Sequence, residues 1–289
     1  MRSSRLECLF YSNRHAPPEG IMQIIGEKIN GTLQEVKVAI RERNASFIRD
    51  LSRRQVEAGA ALVDVNAGTL PAEEPDALSW LVKTVQDEVD VPLCLDSANP
   101  QALATAIQGI KQTPMINSIS GEPSRLDGIL PLVAKHGCSV IALAMDEKGI
   151  PKGVDERMIV IRRLMDRTRN SGLEDEKVYI DPLVMTISTN TESGVIALET
   201  MRAVRTEFPK AHLCAGLSNI SFGLPARHLV NRVFLTLALS AGLDAAILDP
   251  FDRELRGEML AAELVLGRDR HCLNYTRSYR ESRIGHKKK

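Results

Sequence analysis

Apolar residues recur along the chain in short runs separated by longer stretches with helical spacing. The runs are MQIIG, ALVDV, PLCLD, PMINS, SVIALAM, VYIDPL, HLCAGLS and DAAILD. Each is mostly apolar at successive positions and is bounded by turn formers or polar residues, as expected of parallel strands covered on both faces. Amphipathic stretches at 76–89, 100–110, 124–136, 155–170 and 226–240 predict helices between them. Asn99 ahead of Pro100 and Gln101, and the run Gly223, Leu224, Pro225, supply a cap or a fixed φ where a helix can open. Strand then helix, eight times over about 250 residues without a low-complexity linker, predicts the α/β class and a closed (β/α)8 TIM barrel. The alternative, an open doubly wound sheet, lacks a Gly-x-Gly-x-x-Gly after the first strand.

Met22 opens the first clean apolar run, so the barrel is expected to occupy residues 22–270 as one domain. Residues 1–21 then read as an N-terminal extension and 271–289 as a C-terminal tail. The Arg-rich opening MRSSRLECLF is interrupted by Glu7, and its apolar patch is too short for a secretory signal. No apolar stretch approaches the roughly 20 residues that span a bilayer. With 37 basic and 37 acidic residues the formal net charge is zero, so no overall field gathers nucleic acid or an anionic membrane. Five widely spaced cysteines lack a C-x-x-C or Cys/His pairing for zinc, which points to free thiols in a cytoplasmic protein and to no bound metal.

In a barrel, the residues closing each strand meet in one mouth. Here they are Glu27 and Asn30, Asp64 and Asn66, Asp96 and Ser97, Asn117 and Ser118, Asp181, Ser218 and Asn219, and Asp249. Any one Asp or Asn after a strand is commonly only a turn former or helix cap. Seven strand ends of the same chemistry argue for a shared ligand. The rim has no Lys/Arg cluster and no glycine-rich phosphate loop, which disfavours a highly anionic ligand. Carboxylates accept, and amides meet in either sense, the amino and ring N–H groups of an aminopyrimidine edge such as that of pterin.

The segments GEKIN, DVNAG, CLDS, MINS, IDPL and GLSN, in this order from about Met22 to about Leu266, resemble the motifs of the methyltetrahydrofolate to corrinoid protein methyltransferases. Dihydropteroate synthases and the folate domain of cobalamin-dependent methionine synthase are more distantly similar. The resemblance implies that Asp96, Asn117 and Asp181 hold the pterin ring, with Glu27 in the mouth. It also implies that Asn219 is a mobile amide reaching the pterin N5, and that Gly216, Ser218 and Arg227 lie near the same pocket. A methylated N5 leaves badly unless it is protonated or strongly hydrogen-bonded. An amide cannot donate a full proton, so Asn219 is expected to help by a hydrogen bond that strengthens in the transition state, with Asp181 the second catalytic candidate. The same resemblance implies tetrahydrofolate or methyltetrahydrofolate as substrate, a corrinoid (cobalamin) carried by a partner protein in trans, and a homodimer. The chain has no D-x-H-x-x-G loop of its own: Asp269 and His271 have the first spacing, but Asn274 stands where the glycine belongs. Two alternatives stay open, a dihydropteroate synthase-like enzyme and a non-catalytic folate-binding subunit. Against the first, GLSN is followed by IleSerPheGlyLeuPro, without the cations a leaving pyrophosphate needs.

Overall fold

The eight apolar runs become eight parallel strands: β1 (Gln23–Asn30), β2 (Leu62–Asn66), β3 (Leu93–Asp96), β4 (Met115–Ser120), β5 (Ser139–Leu143), β6 (Val178–Asp181), β7 (His212–Gly216) and β8 (Ala245–Leu248). Each pairs with the next, and β8 returns to β1 through Gln23 with Ala245 and Gly26 with Leu248, which closes the barrel. The computed structural model describes residues 21–285, so the extension expected over 1–21 lies outside it but for Ile21, as do Cys8 and 286–289.

Around the barrel run α1 (Gln34–Arg41), α2 (Ala45–Glu57), α3 (Glu74–Gln86), α4 (Pro100–Ile107), α5 (Pro123–His136), α6 (Val154–Asn170), α7 (Ser193–Glu207), α8 (Arg227–Ser240), α9 (Arg253–Val265) and α10 (Leu273–Arg280). Asn99 caps α4 as its sequence predicts, its Oδ1 accepting from Gln101 N at 3.0 Å and Ala102 N at 3.4 Å. At α8 the expectation is off by two residues. Pro225 does not open the helix, because Ala226 first turns left-handed (φ 49°), and no side chain caps the end. No helix among the described residues is long and apolar enough to cross a membrane.

Alternation along each strand divides the apolar residues between two cores. One set, including Ile24, Val63, Leu95, Ile116, Val140 and Leu213, is buried between sheet and helices. The other fills the barrel: Leu62, Met115, Tyr179 and Ala245 come from even strands, and Ile25, Cys94, Ile141 and Cys214 from odd strands. These are the stacked layers that make such a barrel a packed core rather than a pore. One alternation further toward the C-terminal end come Asp64, Asn117, Asp181 and Ile247, and then Glu27, Asp96, Leu143 and Gly216. The polar residues therefore begin where the apolar layers stop.

The stretch after 270, expected to be a tail, is built into the fold as far as it is described. Asp269 accepts from the backbone N–H groups of Asn274 (3.0 Å) and Tyr275 (2.9 Å), α10 follows, and Ile284 returns to the outer core. At the other terminus Met22 is buried, and its N–H donates to Glu263 Oε1 at 2.9 Å.

Candidate active site at the barrel mouth

Asp64, Asn117 and Asp181 converge because strand alternation turns each of them inward in the layer above Ile25, Cys94, Ile141 and Cys214, and Asp96 joins them from the next layer up. Asn66 Nδ2 donates to Asp96 Oδ2 at 2.8 Å, and Asn117 Nδ2 to Asp64 Oδ1 at 3.4 Å. The Cys94 thiol, in the layer below, is held neutral by burial and by the Asp64 carboxylate. Leu183 N, in a turn whose φ is 63°, donates to Asp181 Oδ1 at 2.7 Å. Among the described residues no Lys, Arg or His nitrogen lies within 4.0 Å of Asp64, Asp96 or Asp181.

Such carboxylates are expensive to ionise without a partner. Burial pushes Asp64 well above the usual carboxylate range, and the neighbouring Asp96 pushes it further. Asp96 is raised by burial against the hydrogen bond from Asn66 and the attraction of Arg125. Burial also lifts Asp181, to about 6, opposed by the Leu183 N–H and by the charge of Arg157. Glu27, half-buried at the top of β1, is raised by burial, with Lys28 the main opposing influence. The mouth is thus acceptor-rich, with its own cations held back. Several N–H donors placed on it at once would relieve desolvation and mutual repulsion together.

Two loops complete the rim. After β7 the chain forms a 3-10 turn, Leu217–Ser221, that carries Asn219 at the exposed edge. The Asn219 amide folds back over Gly216: a Cβ built on Gly216 would stand 3.2 Å from Nδ2. Ser218 contributes its carbonyl, which accepts from Arg227 Nη2 at 2.7 Å, while Arg227 Nε donates to Ser221 Oγ at 3.0 Å. In this arrangement Arg227 braces the turn, and it reaches the mouth only as a charge that acts on Glu27. The loop after β6 is tied to the same turn. Thr186 Oγ1 and Ser188 Oγ both donate to the carbonyl of Phe222, at 2.6 and 2.9 Å, and Ile187 N donates to Ile220 O at 3.0 Å.

Other rim residues hold structure. Asn30 Oδ1 accepts from Thr32 N at 2.9 Å, Ser97 Oγ donates to Glu74 Oε1 at 2.5 Å, and Asp249 accepts from Phe251 N at 2.9 Å and pairs with Lys28 at 2.5 Å. His271 is exposed on a short turn, and its neighbour Asp269 is used to cap α10.

Against known proteins, a family model described as pterin binding enzyme matches residues 27–249, from Glu27 at the mouth to Asp249. The chain belongs to the pterin-binding enzymes. This pterin-binding enzyme is 39% identical over 266 residues to a methylcorrinoid:tetrahydrofolate methyltransferase of Eubacterium limosum, covering 91% of the chain and 98% of that relative. It is 30% identical to a methionine synthase of Mycobacterium tuberculosis, of which it covers 20%. Among solved structures it resembles a dihydropteroate synthase of Coxiella burnetii bound to pteroic acid (TM-score 0.65, 15% identity, 86% of this chain and 94% of that one). A Yersinia pestis dihydropteroate synthase gives 0.62 at 17% identity, covering 86% and 95%. At such identities these last two speak for the barrel alone.

Of the residues expected at the site, Asp96, Asn117 and Asp181 turn inward at the barrel mouth, with Glu27 on β1 and Asn219 at the rim over Gly216. Asp64 and Asn66 close a strand but are not among the residues that the family resemblance implies at the site, although Asp64 shares the inward phase of Leu62 in LVDVN. Arg157, from α6, gave no sequence signal at all.

Proposed function

We propose that this enzyme moves a methyl group between N5 of tetrahydrofolate and the cobalt of a corrinoid carried by a separate protein. The observation that carries the reading is the cation-free set Asp64, Asp96, Asn117 and Asp181. It lies in a chain collinear with nearly all of the E. limosum methyltransferase. Asp96, Asn117 and Asp181 accept and donate to the aminopyrimidine edge, which fixes the pterin with its N5 toward Asn219. The amide hydrogen-bonds N5 as its charge changes, favouring the transition state over the ground state. The proton that N5 needs comes from solvent. Asp181, poised at about 6, is a carboxyl that can hold and pass one near neutral pH. The partner's corrinoid supplies a cobalt(I) nucleophile in one direction and the methyl donor in the other. This chain's task is to hold the methyl group in line and facing the open mouth.

A second copy of the chain is proposed to pack on α8. Its Phe234, Leu235, Ala238 and Leu239 enter the core, while Leu229, Val233 and Leu237 stay 56%, 61% and 45% exposed along one stripe. A solvent-facing helix surface seldom carries such a row. A monomeric mass in light scattering would remove the dimer from the proposal.

The test of the reaction is anaerobic mixing of the protein with methyltetrahydrofolate and cob(I)alamin, followed by the loss of cobalt(I) absorbance. Enzyme-dependent methylcobalamin is the expected result. Methyltetrahydrofolate that fails to bind in a titration would end the pterin reading. Binding without transfer, even to corrinoid protein, would leave a folate-binding subunit.

A further inference from the structure

Arg157 is an uncommon kind of arginine. It leaves the first turns of α6, is 2% exposed, and has no carboxylate within 4.0 Å among the described residues. Three carbonyls take its place: Nε donates to Pro151 O at 3.2 Å, and Nη1 donates to Pro182 O at 2.5 Å and Leu183 O at 2.8 Å. A buried cation without an ionic partner is costly and needs a reason. Pro182 and Leu183 are the two residues that follow Asp181, and the Leu183 N–H is the one that binds Asp181 Oδ1. A single guanidinium nitrogen, Nη1, therefore bridges two carbonyls on the outer side of the turn whose inner side presents the carboxylate, while Nε of the same rigid plane is tied to Pro151.

We propose that Arg157 is a positioning residue for the pterin clamp, its planar guanidinium tying the Asp181–Leu183 turn to Pro151 and its charge supplying the positive field in which the Asp181 carboxylate sits. The other charged groups around β6 do not replace it. On α7 the buried Arg205 is committed to Asp244 at the far end of the barrel, and in the loop after β5 Asp146 is paired with Arg163. From β7 the Cys214 thiol lies beneath Asp181, and burial together with that carboxylate pushes it well up, so it stays neutral. Glu27, Asp64 and Asp96 approach from β1, β2 and β3 as acceptors. Charge and planar geometry are separable, since glutamine keeps a donor for the carbonyls and loses the charge, whereas lysine keeps the charge and loses the plane that joins Pro151 to the turn.

The experiment is a 13C NMR titration of aspartate-labelled protein, the Asp181 carboxyl being assigned by its loss in D181N, run beside tetrahydrofolate affinity across pH and thermal unfolding. In R157Q the carboxyl midpoint moves up by roughly one unit, the effect of removing a nearby opposite charge. Affinity then drops roughly fivefold at pH 6, the ratio of ionised fractions for that shift, and much less at pH 8.5. In R157K the midpoint stays with the wild type and affinity falls by the same factor at every pH. An unmoved midpoint in R157Q, with only a lower Tm, means that Arg157 is merely structural and overturns the assignment; so does an R157K midpoint displaced by a full unit, which decides the matter if R157Q does not fold. The affinity arm rests on the proposed function, but the carboxyl titration needs no ligand. Absence of tetrahydrofolate binding at any pH therefore counts against the function and not against Arg157.

Discussion

Asp244 and Asp181 are each 8% exposed, at opposite ends of the same barrel, and are treated in opposite ways. At the N-terminal end Asp244 receives Arg205 Nη2 at 3.2 Å, His212 Nδ1 at 3.0 Å and Leu213 N at 2.8 Å. Arg205 is further held by Ala211 O and Gly242 O, His212 stacks on Tyr179 at 4.4 Å, and the Tyr179 hydroxyl donates to Gln23 at 3.1 Å. At the C-terminal end Asp181 receives one backbone N–H and faces Arg157 only at a remove. Burial alone thus says little about a carboxylate. A saturated one fastens strands together, and an undersatisfied one is held for something the chain does not supply.

The contrast can be broken from either end. Asp244→Ala strands Arg205 in the interior and should cost about 3–5 kcal/mol in urea unfolding, with pterin affinity of the folded fraction unchanged. Asp96→Ala or Asp181→Ala should instead weaken tetrahydrofolate binding by about 1–3 kcal/mol in a fluorescence titration, and unchanged affinity in both would remove the clamp. Stability separates the two ends as well. Because folding raises Asp181 to about 6, its contribution is greatest below the unfolded value near 3.8 and is lost as pH rises through 6. Asp181→Asn should therefore make the ligand-free protein more stable than wild type at pH 8, by about 1–3 kcal/mol, with the advantage gone near pH 4.

Smaller effects sharpen the picture at the rim. Asn219→Ala should slow methyl transfer roughly tenfold to a hundredfold in single turnovers while leaving tetrahydrofolate affinity near wild type, as loss of a transition-state hydrogen bond does. Gly216→Ala is the mildest. Its new methyl meets Asn219 Nδ2 at 3.2 Å, so the amide must give way, and a rate loss of a few-fold, roughly, is expected at constant Tm. A Gly216→Ala enzyme of full speed would mean that the resting position of the amide is irrelevant.

The barrel was legible because its signal is local: eight apolar runs, each flanked by turn formers, and Asn99 placed to cap a helix. The shared rim was legible for the same reason, since the polar residues close the strands. What a carboxylate does there was not. Asp64 and Asp249 both end apolar runs, yet Asp249 meets Lys28 from β1 whereas Asp64 meets Asn117 and Cys94 in the interior. Those neighbours come from other strands, and no local pattern announces them. Arg157 was hidden in the same way, its partners being carbonyls of distant loops. Nor did the segment after 270 declare itself, because α10 buries no residue of its own and is anchored by Asp269 and Ile284 on either side.

The stitching of the β6 and β7 loops through the carbonyl of Phe222 bears on timing. With Thr186, Ser188 and Ile187 joined to the turn that carries Asn219, the two loops are bound together, and the least hindered movement of Asn219 is rotation of its own side chain. Rotamer changes of an exposed residue take roughly picoseconds to nanoseconds, against microseconds to milliseconds for a lid. On the proposed function the second reactant arrives on another protein, and such an enzyme has little use for a lid that must open and shut each turnover. On that reading the meeting and parting of two macromolecules sets the pace, and the barrel stays ready in between.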